Sequence, residues 1–415
     1  MNLHNKLVTV VGLSKRTGVK VVKFLAHRGA RIIATDTKTR EELGKELASL
    51  QDYEVTFDLG GHNSELILES DLLVISPGVP MDISLLEQAR NQEIPVISEV
   101  ELAYRVSQAP ILAVTGTNGK TTTTTLLGEI FTATDQEVIV GGNIGRALIQ
   151  DLPYLGRQGI AVAEISSFQL EGIIDFKPHI SLVLNITPDH LKRHGDFAAY
   201  KAAKRKLVTN QTASDYAVLN YDDQQVREFS RATEAKVVYF SQEQELSRGV
   251  FVQENQIVST LGGTVEPIIS LEKLGIKGPH NVENALGAVT VALLMGVKKD
   301  LLTTELEKFT GVAHRIEEIA KVDRVKYIND SKATNPVSAI KALQTFSQPI
   351  VLIGGGMDKG SDFSEWTKLI TEKVKDLVLL GETAGEIADE VRELGFESIY
   401  RGETMNEAVK KAAEL

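Results

Sequence analysis

Ala113-Val-Thr-Gly-Thr-Asn-Gly-Lys-Thr121, with four more threonines directly behind it, decides the fold. Apolar Ile111 to Val114 read as a short buried strand, and Leu126 and Leu127 are spaced to open a helix. Strand, glycine-rich turn and helix are together the setting of a phosphate-binding loop. Gly116 and Gly119 let the backbone curl so that its N–H groups surround phosphate oxygens. Thr117, Asn118 and Thr122 complete the turn; Lys120 brings a flexible ammonium and Thr121 a hydroxyl suited to Mg²⁺. The start of the helix adds partial positive charge behind the anion. An ordinary threonine-rich turn is the plainer alternative, and the strand-and-helix setting disfavours it. The general pattern G-x-x-x-x-G-K-[ST] is not met in full, because Val114 stands five positions before Gly119. What stands here is the compact form T-G-T-N-G-K-T.

The rest of the composition sets bounds. A chain of 415 residues suggests two or three domains at about 150 residues each. Lys and Arg number 45 against 56 Asp and Glu, a net charge of −11 without a long basic run, so a nucleic-acid partner is not expected. Cysteine is absent, which excludes disulfides and thiolate chemistry. The first residues run into a strand with no signal core, and no window holds about 18 uninterrupted apolar residues. A cytoplasmic protein without membrane contact, acting as a monomer, is the expectation.

Residues 1–98 alternate apolar strands with helical stretches: Leu7 to Val11, Arg31 to Asp36, Leu72 to Ile75 and Pro95 to Ile97 as strands, with a helix over Ile83 to Asn91. That alternation predicts a parallel, doubly wound sheet. Asp36 lies where a dinucleotide fold places its ribose-binding acid, yet Gly12-Leu-Ser-Lys-Arg-Thr-Gly18 is not G-x-G-x-x-G. Ser76-Pro-Gly-Val-Pro80 follows a strand, where open α/β sheets bind ligands. A nucleotide-diphosphate site is the reading, rather than an NAD site.

In residues 99–311, Glu164 closes the apolar strand Ala161-Val-Ala-Glu164, as a metal ligand, a catalytic acid or a solvated carboxylate would. Ser181 to Ile186 reads as a strand leading to Thr187-Pro-Asp-His190, with Pro188 inside the first turn of a helix. The helix Phe197 to Lys206 presents a basic face, although the alanines around Lys201 and Lys204 suggest that one lysine is closely packed. Residues 249–269 read as short strands with Gly262-Gly263 as a hairpin turn. Asn281 and Asn284 share a helix face, and as mid-helix asparagines they call for a ligand or a local cap. In residues 312–415, Arg315, Lys332 and Lys359 sit near strand ends, in a third small α/β domain with strands at 349–354 and 377–381.

Taken in order, T-G-T-N-G-K-T, G-G-N-I-G, E-I-S-S-F-Q-L, N-I-T-P-D-H, Y-K-A-A-K, H-N-V-E-N-A, H-R and N-D-S-K-A-T-N resemble the Mur ligase family. Within it, the D-glutamate-adding branch is the nearest likeness. The resemblance implies three domains: residues 1–98 Rossmann-like and holding a UDP substrate, 99–311 a central ATP-binding domain, 312–415 a Rossmann-like amino-acid domain. It implies a ligase of peptidoglycan precursor synthesis that joins D-glutamate to UDP-N-acetylmuramoyl-L-alanine. ATP would phosphorylate the alanyl carboxylate, and the D-glutamate amine would attack the acyl phosphate. Bringing a carboxylate to a triphosphate opposes like charges, roughly 4 kcal/mol per unit pair at 4 Å and an effective dielectric near 20. Two Mg²⁺ ions and several cations would offset that repulsion.

By the same resemblance, Thr121, Glu164, His190 and a carbamylated Lys204 serve the metal ions, and Lys120 lies on the phosphates. Asn281 and Asn284 match an adenine-side pair, while Arg315, Asp330 and Lys332 close over ATP. Ser14, Thr17, Asp36, Thr37, Lys38, Ser76 and Gly78 serve the UDP group, with Asn143 and His190 near the muramoyl part. Thr334 and Lys359 match positions that contact D-glutamate. The family's final strand and S-P-A-x-A-S loop have no counterpart here, since the sequence stops in a helical pattern at Leu415; a shortened third domain is therefore expected. A sister ligase with another acceptor, such as a folylpolyglutamate synthetase type, is the runner-up. A non-catalytic ATP and UDP-sugar binder follows, and then an NAD oxidoreductase.

Overall fold

The computed structural model describes residues 1–358 and 360–415. Five apolar runs form the first sheet: β1 (Leu7–Val11), β2 (Arg31–Asp36), β3 (Thr56–Leu59), β4 (Leu72–Ile75) and β5 (Val96–Ser98). Their order is β3-β2-β1-β4-β5, and every pairing is parallel. Parallel strands are covered on both faces, so they read as unbroken apolar stretches rather than as alternation. Val8, Val10, Val11, Leu73 and Val74 are buried accordingly.

The second sheet has nine strands. They are β6 (Ile111–Thr115), β7 (Val138–Gly142), β8 (Ile160–Glu164), β9 (Ile180–Val183), β10 (Tyr216–Asn220), β11 (Lys236–Ser241), β12 (Gly249–Gln253), β13 (Gln256–Ser259) and β14 (Glu266–Ser270). Their order is β14-β13-β12-β11-β10-β9-β6-β8-β7. Strands β7 through β12 run parallel, and β13 and β14 add antiparallel hairpins. Strand β6 lies between β8 and β9, so the chain leaves it to one side and returns on the other. A crevice at the C-terminal end of such a strand is where open α/β sheets take ligands.

One buried carboxylate joins the helix that follows β5 to the stretch leading into β9. Glu101, on the helix Glu99–Val106, accepts the backbone N–H groups of Ile174, Asp175 and Phe176 at 2.9, 3.0 and 2.8 Å. Arg105 pairs with it at 2.7 Å. A charge removed from water survives only with such full pairing.

The last segment holds the antiparallel pair β15 (Glu317–Val322) and β16 (Val325–Asn329), and the parallel sheet β17 (Ile350–Gly355), β18 (Val374–Leu380) and β19 (Ile399–Arg401). Leu343, Trp366, Ile370, Leu377, Leu379, Ile387 and Val391 form its core. By proximity the chain divides into two compact units. One is Met1–Ile186, Ala198–Gly275 and Glu283–Phe309; the other is Thr187–Phe197, Ile276–Val282 and Thr310–Leu415.

Some expectations shift. The strand expected over 181–186 ends at Val183. The helix after it is only Leu191–His194, and Pro188 precedes it instead of lying in its first turn. His190 holds a left-handed conformation, φ 52°, so the helix cannot begin before Leu191. Asn281 stands in the first turn of the helix Pro279–Leu294 rather than in its middle.

Candidate functional site

The phosphate-loop turn follows β6 directly and opens the helix Lys120–Thr132. Gly119 caps that helix at φ +83°, in the left-handed region that L side chains avoid. A Cβ there would also fall 2.1 Å from the Oδ1 of Asn284, so glycine is required twice over. As a glycine, this capping residue has no side chain to offer the helix start. The turn is held from outside instead. Thr117 N–H donates to the Asn185 carbonyl at 2.8 Å. Asn118 N–H donates to Asn185 Oδ1 at 2.8 Å. The Thr117 and Tyr200 hydroxyls meet at 3.0 Å. Lys120 folds its ammonium back onto the carbonyls of Gly116 and Thr117, at 3.0 and 2.8 Å. That is a cation parked on weak acceptors at the place where phosphate oxygens would outcompete them.

Glu164 ends β8 one strand away, in register with Val114 of β6. It is buried, with one carboxylate oxygen accepting from Asn143 Nδ2 at 2.6 Å. Its other oxygen has no hydrogen-bond partner among the described residues. A buried carboxylate oxygen without a donor is costly unless a cation arrives. Lys204, 1% exposed, donates to the Gly116 carbonyl at 2.7 Å and lies 4.9 Å over the Tyr200 ring. The close packing that its flanking alanines suggested is therefore present.

Family likeness implies Mg²⁺ here, and the residues fit it. Glu164 offers an unfilled hard oxygen and Thr121 a hydroxyl on the first helical turn. Among the described residues no three His, Cys, Asp or Glu side chains converge into a metal cage. Mg²⁺ suits that sparse set, because it characteristically takes one or two carboxylates and fills its shell with phosphate oxygens and water.

The first sheet carries a second strand–turn–helix. Asp36 spends both carboxylate oxygens on the backbone, accepting Leu13 N–H at 2.7 Å and Lys38 N–H at 3.0 Å. Ser14 Oγ accepts from the N–H groups of Thr17 and Gly18 at 3.2 and 3.4 Å. Ser76 Oγ donates to the Gly12 carbonyl at 2.7 Å. Ser14, Asp36, Ser76 and the buried Thr17 thus gather at one turn, with exposed Thr37, Lys38 and Gly78 beside Asp36 and Ser76 in sequence.

The other predicted residues lie in the second compact unit. His190 Nε2 stands 3.6 Å from Asp189 Oδ2. Asn281 Nδ2 donates to the Lys277 carbonyl at 2.8 Å, a local bond to the residue two before the helix. Asp330 Oδ1 accepts Ile316 N–H at 3.1 Å, and burial raises its pKa despite that bond and the nearby Arg315. Lys332 N–H donates to the His314 carbonyl at 3.2 Å, bringing H-R and N-D-S-K together. Thr334 is exposed. Lys359 lies outside the described residues. Sequence reasoning missed Asn185 and Tyr200 as supports of the turn, although both fall inside quoted motifs.

Three family models match successive parts of the chain. The Mur ligase MurD-like N-terminal domain model matches residues 6–98, the Mur ligase middle domain model 114–292, and the Mur ligase glutamate ligase domain model 314–415. A UDP-N-acetylmuramoylalanine–D-glutamate ligase of Pelotomaculum thermopropionicum is 46% identical over 410 residues, covering 99% of this chain and 90% of that protein. Its namesake from Clostridioides difficile is 41% identical over 416 residues, covering 100% and 92%. Among solved structures, MurF from Acinetobacter baumannii superposes with a TM-score of 0.62 at 18% identity, over 99% of this chain and 84% of that one. The UDP-N-acetylmuramate-alanine ligase MurC of Thermotoga maritima gives 0.61 at 20% identity, over 98% and 92%. At such identity the likeness speaks to the fold.

Proposed function

Because the chain belongs to the Mur ligase family, we propose that it is an ATP-dependent ligase joining D-glutamate to UDP-N-acetylmuramoyl-L-alanine in peptidoglycan precursor synthesis. The observation that carries the ATP chemistry is the glycine turn after β6 with the Lys120 ammonium folded over it, one strand from a buried Glu164 oxygen that has no hydrogen-bond partner among the described residues. D-Glutamate as acceptor rests on relatives at 41–46% identity over essentially the full chain.

The chemistry assigns work to particular groups. Peptide-bond formation in water needs the carboxylate activated, and an acyl phosphate supplies the leaving group. Lys120 moves from its two carbonyls to the phosphate oxygens, neutralising charge as the carboxylate approaches. Thr121 and Glu164 would hold the Mg²⁺, which when bound would supply Lewis-acid stabilisation of a phosphoryl group. Asn143 orients Glu164 and borders the muramoyl substrate. Lys204 becomes a carbamate through its neutral amine and CO₂, releasing a proton and turning a cation into an oxygen ligand. Asn281 and Asn284 serve adenine, and His190, Arg315, Asp330 and Lys332 serve the phosphates and the acyl group. Thr334 and Lys359 serve D-glutamate, and the turn around Asp36 serves UDP. Domain limits at 98/99 and 311/312, two metal ions, a monomer and a cytoplasmic location belong to the same reading. No helix among the described residues is long and apolar enough to cross a membrane.

The deciding experiment measures phosphate release from ATP·Mg²⁺ with UDP-N-acetylmuramoyl-L-alanine and single amino acids, in bicarbonate buffer. Release that requires both the nucleotide sugar and D-glutamate is the expected result. Dependence on a different amino acid would move the chain to a sister ligase. Binding of ATP without any turnover would leave only a binding protein.

A further inference from the structure

Asn185 stands two residues beyond β9 and is buried. Its backbone carbonyl takes Thr117 N–H, its Oδ1 takes Asn118 N–H, and its Nδ2 reaches the Asn118 carbonyl at 3.3 Å. The same Nδ2 donates to Glu283 Oε1 at 2.6 Å, much the shorter of its two bonds. A carboxylate can only accept, so Glu283 fixes which end of the amide faces it. That orientation is the one in which Oδ1 meets the Asn118 N–H and Nδ2 meets the Asn118 carbonyl. The next residue, Asn284, packs against Gly119. Successive residues of one helix therefore grip the turn at two points.

We propose that Glu283 is a positioning residue for the phosphate loop, acting through Asn185. Charge-assisted hydrogen bonds are the strong ones, and removing this acceptor leaves a buried amide donor with one long bond. The turn then loses its fixed shape, and phosphate binding suffers before the fold does. The rival account is a carboxylate that favours the start of the helix Pro279–Leu294 by its charge alone. Glu283→Gln separates the two, because it keeps an acceptor oxygen and discards the charge.

The inference rests on residues 116–122 being the ATP loop. Full-chain variants are assayed for KM in ATP and in the nucleotide sugar, for binding of a non-hydrolysable ATP analogue, and for thermal midpoint. Glu283→Ala is expected to raise KM for ATP roughly tenfold, with the nucleotide-sugar KM and the midpoint near wild type. Glu283→Gln is expected within about twofold of wild type, as the acceptor persists. Asn185→Asp, nearly isosteric, sets carboxylate against carboxylate and weakens ATP binding at least as much as Glu283→Ala. An unchanged ATP KM in Glu283→Ala, equal changes for both substrates, or a Glu283→Gln as damaged as Glu283→Ala overturns the proposal. Lys120→Ala serves as the control. If it too leaves analogue binding intact, the loop assignment itself has failed; if it abolishes binding while the Glu283 variants do nothing, only the positioning role has.

Discussion

Two turns in this molecule share one plan, strand into glycine into helix, and differ in what happens to their donors. After β1, Ser14 inside the turn takes the N–H groups of Thr17 and Gly18 through its hydroxyl and that of Val19 through its carbonyl, while Asp36, at the end of β2, takes that of Leu13. Gly18 packs so tightly on the Gly12 carbonyl that a Cβ would sit 2.0 Å from its oxygen. After β6, the supports come from Asn185 and Tyr200, outside the turn, and the capping residue is a glycine. The same glycine spacing is held in two ways, by Ser14 within the first turn and by Asn185 and Tyr200 far from the second.

The comparison can be broken first at Lys120. Lys120→Ala should lower kcat/KM for ATP by on the order of a hundredfold or more, in the phosphate-release assay, while leaving nucleotide-sugar binding alone. A variant with near-normal turnover would put the triphosphate elsewhere.

Next in size is Glu99, on the helix joining the two sheets. It accepts Ile149 N–H at 2.7 Å, its other oxygen lacks a partner among the described residues, and burial pushes its pKa from 4.5 up to about 7. The folded protein keeps this proton where the unfolded chain releases it. The associated stability is therefore full below about 4.5 and is lost as pH rises to about 7. Glu99→Gln should remove that slope and stabilise the protein above pH 7 by up to about 3 kcal/mol, read from denaturant melts across pH. A wild-type stability that rises steadily over that window, with Glu99→Gln parallel to it, would refute the assignment.

Smaller effects sharpen the contrast. Gly18→Ala should destabilise by about 1–3 kcal/mol through overpacking. Gly119→Ala should instead weaken ATP-analogue binding, by calorimetry, more than it lowers the midpoint. Similar profiles for the two would erase the distinction between a closed turn and an open one. Smallest is Ser14→Ala, which loses a helix-start acceptor worth about 1 kcal/mol and should leave ATP affinity untouched.

Much of this was legible because parallel strands announce themselves. Leu7–Val11, Leu72–Ile75 and Ile111–Thr115 are short apolar runs bounded by turn residues, and the compact phosphate loop is a local motif. Three edge strands were not legible. Thr56–Leu59 is half exposed, Val138–Gly142 ends in two glycines, and Ile399–Arg401 is only three residues long, so none shows a period. The hairpin at Glu254-Asn255 was also hidden, because two non-glycine residues adopt φ of 48° and 61° there. The phosphate site divides in the same way. Lys120 and Thr121 declare themselves by neighbours in sequence, whereas Asn185 and Glu283 act through contacts that no local pattern encodes.

Those distant supports set an order of emergence. Asn185 follows Asn118 by 67 positions, and Glu283 follows Asn185 by a further 98. A ribosome making this protein would therefore release the phosphate-loop sequence long before the residues that hold it. Until then the turn is a glycine-rich segment beside an incomplete sheet, the kind of non-local structure that forms late. Arrested nascent chains ending at Leu294, with Glu283 still inside the ribosome, and at Leu415, with it outside, should differ in protease protection at residues 116–122, with only the longer chain protected. Equal protection in both would mean that the turn matures without its second anchor.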